Sequence, residues 1–261
     1  MAPPRVVVWV CAAFLALAVL GCVWLWCSPM RVELAQRQAP IPAILHQTWK
    51  SADNIPTKSQ ACMASWKKLN PTWEFRFYDD KACMDFVAAQ YPQYLKTYQA
   101  LELPVQRADL FRYMVIYHYG GFYADLDTTC RKTIEPLREH GDGVVGVEFY
   151  TPWLQYLQWF FGAKARNPCL QSVLDVVMER LAKPRDRHPD LWVLYSTGPH
   201  AFTEGVRRVL RKEPHRMQVH DVCEFGAFRP DLVPGCEERA YLSHHFEGSW
   251  KVEWSEDLKN E

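Results

Sequence analysis

The stretch that decides the fold is Pro104–Asp127, PVQRADLFRYMVIYHYGGFYADLD. Pro in the first turn and a Gly-Gly pair at the end predict a helix from Pro104 to Tyr119. The alternating residues that follow predict a short strand ending in two carboxylates, Asp125 and Asp127. A helix that leads directly into an apolar strand is typical of an α/β domain.

Asp125 and Asp127 are predicted to share one side of the chain at the strand terminus. Hard cations such as Mg²⁺ or Mn²⁺ take oxygen ligands and are commonly shared between protein carboxylates and substrate phosphates. A cation here could neutralise charge on a departing diphosphate, with Arg112 as an auxiliary. The alternatives without a functional role are a solvated strand end, for Asp125 and Asp127, and a simple intrahelical ion pair, for Asp109 and Arg112.

Composition bounds the other possibilities. The chain has 261 residues and a formal net charge of zero, which favours one catalytic domain, residues 41–261, and argues against nucleic acid as a partner. Gly141–Gly146 formally matches a dinucleotide-binding pattern, but its glycines lead into a strand rather than a helix. We interpret it as a loop.

The amino-terminal region predicts a membrane anchor. Val6–Cys27 contains no charged residue over 22 positions, enough helix to cross a hydrocarbon core. Residues 1–5 would then form a cytoplasmic tail and residues 28–40 a polar stem. A cleaved signal peptide is the alternative, although its apolar core is usually shorter. A short tail before a large domain favours the type II arrangement.

Elements before the deciding stretch follow β-α-β order. Ile41–Leu45 predicts the first strand, and Trp49 just beyond it could stack on a base or simply pack in the core. Lys58–Leu69 predicts a helix and Trp73–Tyr78 a strand. Asp79 or Asp80 would then cap a helix that runs to about Gln90.

Six cysteines follow the apolar segment, and up to three disulfides are compatible with an even count. Cys223 with Cys236 is the favoured pair, since the two flank a loop that contains Pro and Gly. The alternative is a zinc site that adds His220, but the spacing fits no structural zinc pattern.

Four ordered motifs together resemble glycosyltransferase family 32, the D-x-D sugar transferases. These are Pro104–Asp127 itself, Ile41–Trp49 (IPAILHQTW), Ser196–Pro199 (STGP) and His244–Trp250 (HHFEGSW). Four motifs in order are more specific than any single one. The resemblance spans about residues 41–252, and Val105–Leu126 is similar to the inositol-phosphoceramide branch, while Val144–Glu148 is similar to initiation-type α-1,6-mannosyltransferases.

The resemblance implies a GT-A type α/β fold with a mixed central sheet, a Mn²⁺ (or Mg²⁺) cofactor and retention of anomeric configuration. Asp127 would bind the metal directly, and Asp125 would contact the ribose, the donor sugar or the metal through water. His244 would be the distant metal ligand, with His245 as its substitute if the register slips by one residue.

The same resemblance assigns the donor-binding residues. Asp109 would contact donor hydroxyls and Arg112 the donor sugar or phosphate, while Trp49 would face the base. Tyr123 lies in the same motif, between Arg112 and Asp125, and is also assigned to donor binding. Ser249 and Trp250 would close over the diphosphate.

Function follows from these assignments as an expectation. The donor would be GDP-mannose, and the acceptor a glycan or glycolipid at a Golgi or ER membrane. A metal-dependent nucleotide hydrolase or phosphoesterase that uses the same carboxylates is one alternative, and a non-catalytic nucleotide-sugar-binding protein is another. Glu148 is a weak candidate for acceptor contact and is more readily interpreted as a surface carboxylate.

Overall fold

The computed structural model describes residues 39–139, 141–150, 152–184, 189–226 and 235–248. The predicted anchor, with nearly all of the predicted stem, lies outside these ranges. No helix within them has both the length and the apolar character needed to cross a bilayer.

Strands form a mixed central sheet, as predicted. In chain order they are β1 (Ile44–Thr48), β2 (Glu74–Tyr78), β3 (Gly121–Ala124), β4 (Thr128–Cys130), β5 (Gly143–Phe149), β6 (Gln155–Ala163), β7 (Gln218–His220) and β8 (Leu242–His244). Six of them form one sheet in the order β2-β1-β3-β6-β5-β7, and β4 pairs with β8 separately. β1 is parallel to β2 and β3, whereas β6 is antiparallel to β3 and β5. The first strand begins three residues later than predicted.

Helices cover the sheet. They are α1 (Thr57–Leu69), α2 (Asp80–Gln90), α3 (Pro92–Ala100), α4 (Pro104–Tyr119), α5 (Pro168–Leu181), α6 (Pro189–Ser196), α7 (Pro199–Leu210) and α8 (Cys236–Arg239). The predicted bounds of α4 are confirmed, and Asp79 caps α2 by accepting a hydrogen bond from the Ala82 backbone amide at 2.7 Å.

Two apolar layers lie on opposite faces of the sheet, and β3 contributes side chains to both. Phe122 enters the layer that contains Trp66 and Trp73, whereas Tyr123 enters the layer formed with α4, α5 and α7. This alternation follows from the period of two in a strand. Because β3 is buried on both faces, its carboxyl end is held rigidly where Asp125 follows.

α4 departs from the expected pattern of burial. The sequence predicts one buried stripe, formed by Leu103, Ala108, Phe111, Val115 and His118. Phe111 and Val115 are fully buried, as predicted, but the other three are only half-buried, while Asp109 and Arg112 are 1% and 6% exposed. The prediction was wrong in part because α4 is enclosed on several sides instead of resting one face on the core. A solvent-exposed ion pair between Asp109 and Arg112 is therefore excluded.

Two glycines let α4 turn directly into β3. Gly120 and Gly121 have φ of +70° and +100°, a region that favours glycine. A Cβ on Gly121 would lie 2.6 Å from the Ile44 carbonyl oxygen, so the pair also permits close approach to β1. Beneath them, burial lowers the pKa of His46 to about 4, and its Nε2 lies 3.1 Å from the Gly120 carbonyl oxygen.

Gly205→Ala should destabilise the protein. A Cβ at this position would meet the Val173 Cα at 2.5 Å, so α5 and α7 would have to separate, at a cost of about 1–3 kcal/mol. Chemical denaturation measures the change in free energy of unfolding. Arg211→Ala, exposed at the end of α7, is the matched control and should change stability by less than about 0.5 kcal/mol. A neutral or stabilising Gly205→Ala would contradict the close packing.

Stability should depend on pH through Asp109. Burial raises its pKa to about 6, although Arg112 opposes the shift, so the folded state holds a proton that the unfolded state has lost between about pH 4 and 6. Wild-type stability should therefore fall relative to Asp109→Asn as pH rises through that window, by about 1–3 kcal/mol. Denaturation of the metal-free proteins at pH 4, 5 and 6 measures this difference. Wild-type stability that rises relative to Asp109→Asn with pH would show that ion pairing outweighs burial.

Candidate functional site

A cavity of about 370 Å³ opens beyond the carboxyl ends of β1 and β3. Strand ends of an open α/β sheet are the expected place for a ligand. The predicted residues that line it are Trp49, Asp109, Arg112, Tyr123, Asp125, Asp127 and His244. Ser249 and Trp250, also predicted for this site, lie outside the described residues.

A tight turn positions the two carboxylates. The Asp125 backbone amide donates to the Trp159 carbonyl at 2.8 Å, and the Thr128 amide donates back to the Asp125 carbonyl at 3.2 Å. Leu126 between them is 4% exposed and lines the cavity together with both carboxylates. The three residues follow the end of β3 at Ala124, so the turn, and not strand alternation, places the carboxylates at the cavity.

The carboxyl-terminal strand brings an imidazole to these carboxylates. β8 pairs with β4 so that His244 lies opposite Thr128, immediately after Asp127. Its Nε2 lies 3.2 Å from Oδ1 of Asp127. One ligand atom from each of Asp125, Asp127 and His244 falls within 4.8 Å of the others, which is close enough to share one cation.

Geometry distinguishes the two adjacent histidines. The ring of His244 stacks on Trp159 at 4.4 Å with an interplanar angle of 4°, facing the cavity. Nε2 of His245 instead lies 2.7 Å from Oγ1 of Thr129, and its backbone amide donates to the Asp127 carbonyl at 2.9 Å. His244 is therefore the residue placed for metal binding.

A buried guanidinium joins α4 to the strand end. Arg112 lies 3.4 Å from Asp109 and 3.2 Å from Asp125, and it donates to the Gln158 carbonyl at 3.2 Å. Its guanidinium also lies 4.7 Å above the ring of Tyr123. Burial alone would lower the pKa of Arg112, but the neighbouring carboxylates outweigh it and raise that pKa. The cation is permanent at any working pH.

Further hydrogen bonds orient Asp109 and Asp125. Asp109 accepts from Thr197 Oγ1 at 3.0 Å and from Gln158 Nε2 at 3.1 Å. Asp125 accepts from the Tyr123 hydroxyl at 2.8 Å. Burial raises the pKa of Asp125, and Arg112 opposes that shift. Tyr123 thus acts on the carboxylate in this structure, while its predicted contact with a donor stays a prediction.

Asp127 has a different environment. Burial tends to raise its pKa, but the hydrogen bond from His244 and the Glu247 backbone amide at 3.1 Å outweigh it, so that pKa is lowered. Lys58 on α1 forms an ion pair with Glu247 at 2.7 Å. His244 and the Glu247 amide, both on the carboxyl-terminal segment, therefore favour the ionised form of Asp127.

Trp49 lines the other end of the cavity. It is half-buried, and its Nε1 donates to the Asn54 carbonyl at 3.3 Å. A purely core-packing role is therefore excluded, because the indole borders an open cavity. Its stacking on a base stays a prediction.

Glu148 corrects the interpretation of a surface carboxylate. It is half-buried at the end of β5, lines the cavity, and accepts a hydrogen bond from Gln155 Nε2 at 2.6 Å. Burial raises its pKa. Sequence reasoning also missed Gln158 and Trp159, because only tertiary pairing of β6 with β3 brings them to the carboxylates.

The predicted disulfide is confirmed, and the zinc alternative is wrong. Cys223 and Cys236 are bonded, with their Cα atoms 4.7 Å apart, so neither thiolate is free for a metal. The other four cysteines of the domain, Cys62, Cys83, Cys130 and Cys169, are buried and unbonded. The bond lies shortly before β8 and fixes the segment that delivers His244.

Comparison with known proteins identifies the region that holds this site. Residues 56–143 match the glycosyltransferase sugar-binding region containing the DXD motif. The chain is 31% identical over 227 residues to inositol phosphoceramide mannosyltransferase 3 of Schizosaccharomyces pombe, across 82% of this chain and 57% of that protein. The chain therefore spans less than two thirds of that relative.

Two further similarities are weaker. The initiation-specific alpha-1,6-mannosyltransferase of Candida albicans is 23% identical over 279 residues, across 81% of this chain and 72% of that protein. A solved structure, PaToxG glycosyltransferase, superposes with a TM-score of 0.49 and 19% identity, across 67% of this chain and 71% of that one. Residues 56–143 therefore belong to the glycosyltransferase sugar-binding family that contains the DXD motif, and the chain as a whole is similar to mannosyltransferases over most of its length.

Proposed function

We propose that this protein is a metal-dependent retaining glycosyltransferase of GT-A type that transfers mannose from GDP-mannose to a glycan or glycolipid. One observation carries the proposal: Asp125, Asp127 and His244 converge within 4.8 Å at the wall of a cavity large enough for a nucleotide sugar. The names of the relatives support mannose as the sugar and a glycolipid as one acceptor class.

The ligand set fits Mn²⁺, with Mg²⁺ as the alternative. Two carboxylates suit hard divalent cations, and an added imidazole favours a transition ion such as Mn²⁺ over Ca²⁺. Asp127 is held ionised, and His244 is oriented by its stack on Trp159. When bound, the cation supplies positive charge for the diphosphate leaving group.

The protein's own residues would hold the donor around this centre. Trp49 is placed for the base, and Asp109, fixed by Thr197 and Gln158, is placed for sugar hydroxyls. Arg112 holds Asp125 in position through their ion pair. In the transfer, the bond between the anomeric carbon and the diphosphate oxygen breaks, the acceptor hydroxyl oxygen takes its place, and the hydroxyl proton leaves with the diphosphate.

Location is proposed on separate grounds. The uncharged segment Val6–Cys27 would anchor the chain in a Golgi or ER membrane as a type II protein. The disulfide between Cys223 and Cys236 supports an oxidising lumen as the compartment of the domain.

The hydrolase alternative receives less support. Two-metal phosphoesterases need further carboxylates or histidines for a second cation. Among the residues that the structure describes, Asp125, Asp127 and His244 form the single group of this kind. A non-catalytic binding protein would bind GDP-mannose with Mn²⁺ yet release no GDP with any acceptor.

Asp127→Asn should abolish metal-dependent turnover. The amide removes one anionic ligand and the partner of His244, so GDP release from GDP-mannose should fall at least about 100-fold. The full chain in detergent is assayed with Mn²⁺ and, separately, with EDTA, which should stop the wild type. Asp175→Asn, on α5 and outside the cavity lining, is the control. Undiminished turnover in Asp127→Asn would contradict the metal-dependent mechanism.

Substitution of His244 should affect the Mn²⁺ requirement much more than substitution of His245. His244→Ala removes a ligand, so the Mn²⁺ concentration needed for half-maximal turnover should rise about 10–100-fold. His245→Ala removes only a hydrogen bond to Thr129 and should change that concentration by less than about threefold. Electron paramagnetic resonance of free Mn²⁺ measures binding without relying on activity. Equal effects, or a larger effect at His245, would refute the assignment.

A further inference from the structure

The β5–β6 hairpin borders the cavity on the side away from Trp49. β5 runs up to the cavity and ends with Glu148 and Phe149, and β6 returns with Gln158 and Trp159 in the cavity lining. The end of β5 at Glu148 therefore lies beside the place where a donor sugar would sit. Gln158 and Trp159 on β6 already support Asp109 and His244, whereas Glu148 on β5 has no part in the donor and metal assignments.

The carboxylate of Glu148 is a hydrogen-bond acceptor near the end of β5. Gln155 donates to its Oε2 at 2.6 Å, and Gln155 is itself only 5% exposed, so the carboxylate is held in place by a rigid neighbour. Among the described residues, no hydrogen bond reaches Oε1 of Glu148. That oxygen is available to accept hydrogen bonds from hydroxyl groups entering the cavity.

Trp153 supplies an aromatic face at the hairpin tip. Its side chain is 56% exposed, which is unusual for the largest apolar residue. The ring meets His200 edge-on with centroids 6.4 Å apart, and His200 directly follows Pro199, which lines the cavity. The indole therefore contacts the residue that follows the cavity lining at Pro199.

Charge on this side argues for a neutral ligand. The cations that line the cavity are Lys50 beyond β1 and Arg107 and Arg112 on α4. Arg112 reaches the hairpin at the Gln158 carbonyl, but its charge is paired with Asp109 and Asp125. Glu148 would repel a phosphate placed next to it. An exposed aromatic face beside a hydrogen-bond acceptor instead suits a ring with several hydroxyls and apolar C–H faces.

We propose that the β5–β6 hairpin is the acceptor subsite and binds an uncharged pyranose ring, with Glu148 accepting its hydroxyls and Trp153 stacking on its face. This rests on the proposed glycosyl transfer. Glu148 and Trp153 thereby select the acceptor and leave donor binding to the Asp125, Asp127 and His244 side. A phosphorylated headgroup is the ligand that this subsite disfavours.

Binding of a bare acceptor probe tests the subsite directly. Methyl α-mannopyranoside is titrated into the full chain in detergent and followed by saturation-transfer NMR. Glu148→Gln and Trp153→Ala should each weaken binding at least about tenfold, whereas Val219→Ala, exposed on β7 and outside the cavity lining, should not. Inositol 1-phosphate should bind more weakly than methyl α-mannopyranoside. Lack of sugar binding by the wild type, equal binding by all variants, or preference for the phosphate would each overturn the inference.

Kinetics separates this inference from the proposed function. With GDP-mannose and Mn²⁺ but no acceptor, GDP release by hydrolysis reports the donor reaction alone, and in Val219→Ala it should stay within about twofold of wild type. With methyl α-mannopyranoside as acceptor, the KM for this sugar should rise about tenfold in Glu148→Gln and in Trp153→Ala, a larger factor than any fall in hydrolysis. Loss of hydrolysis equal to the loss of transfer would place Glu148 on the donor side. Sugar binding without any donor turnover in the wild type would refute the glycosyltransferase proposal and leave the hairpin site standing.

Discussion

The buried guanidinium of Arg112 is the interaction on which the site depends. It is 6% exposed and lies between Asp109 and Asp125, at 3.4 and 3.2 Å. Two carboxylates so close together in a low-dielectric interior would otherwise repel each other and be forced to take up protons. Since Arg cannot lose its proton in a protein, this cation lets the end of β3 carry negative charge. The helix α4 is enclosed largely because it must deliver that cation.

The charge of Arg112 does not neutralise all the carboxylates near it, so this wall of the cavity stays negative. Arg112 serves Asp109 and Asp125, while Asp127 faces His244, and Glu148 and Glu247 also line the cavity. Lys58 compensates Glu247 from outside. The remaining negative charge is concentrated where the carboxylates and the imidazole meet, which is the condition for attracting a divalent cation. The opposite end, with Trp49, Lys50 and Arg107, is more suited to an anionic nucleotide.

Local signals explain which parts of this arrangement the sequence predicted. Pro104 and Gly120 bound α4, Asp79 caps α2, and the short strand β3 ends just before Asp125, because each depends on residues nearby in the chain. The motif resemblance added His244, whose neighbour His245 only the register of β4 with β8 could exclude. These predictions needed no knowledge of the packing.

Predictions failed where burial is decided by distant elements. The stripe on α4 was right for Phe111 and Val115 but missed Asp109 and Arg112, because periodicity assumes one buried face whereas these two are buried against β3 and β6. Glu148 was interpreted as a surface group because nothing in Val144–Glu148 shows that Gln155 folds back onto it. Trp159 supports His244 only through a strand pairing that sequence spacing does not encode.

The carboxyl-terminal segment completes the site at an entropic cost. Thr129 and His245 are 116 positions apart in sequence, and closing so long a loop opposes folding. β4–β8 pairing, the stack of His244 on Trp159 and the disulfide between Cys223 and Cys236 offset that cost. A cation shared by Asp125, Asp127 and His244 would add its binding free energy to the same closed state. Metal binding, as proposed, would then be linked to docking of this segment in one equilibrium, because His244 belongs to both.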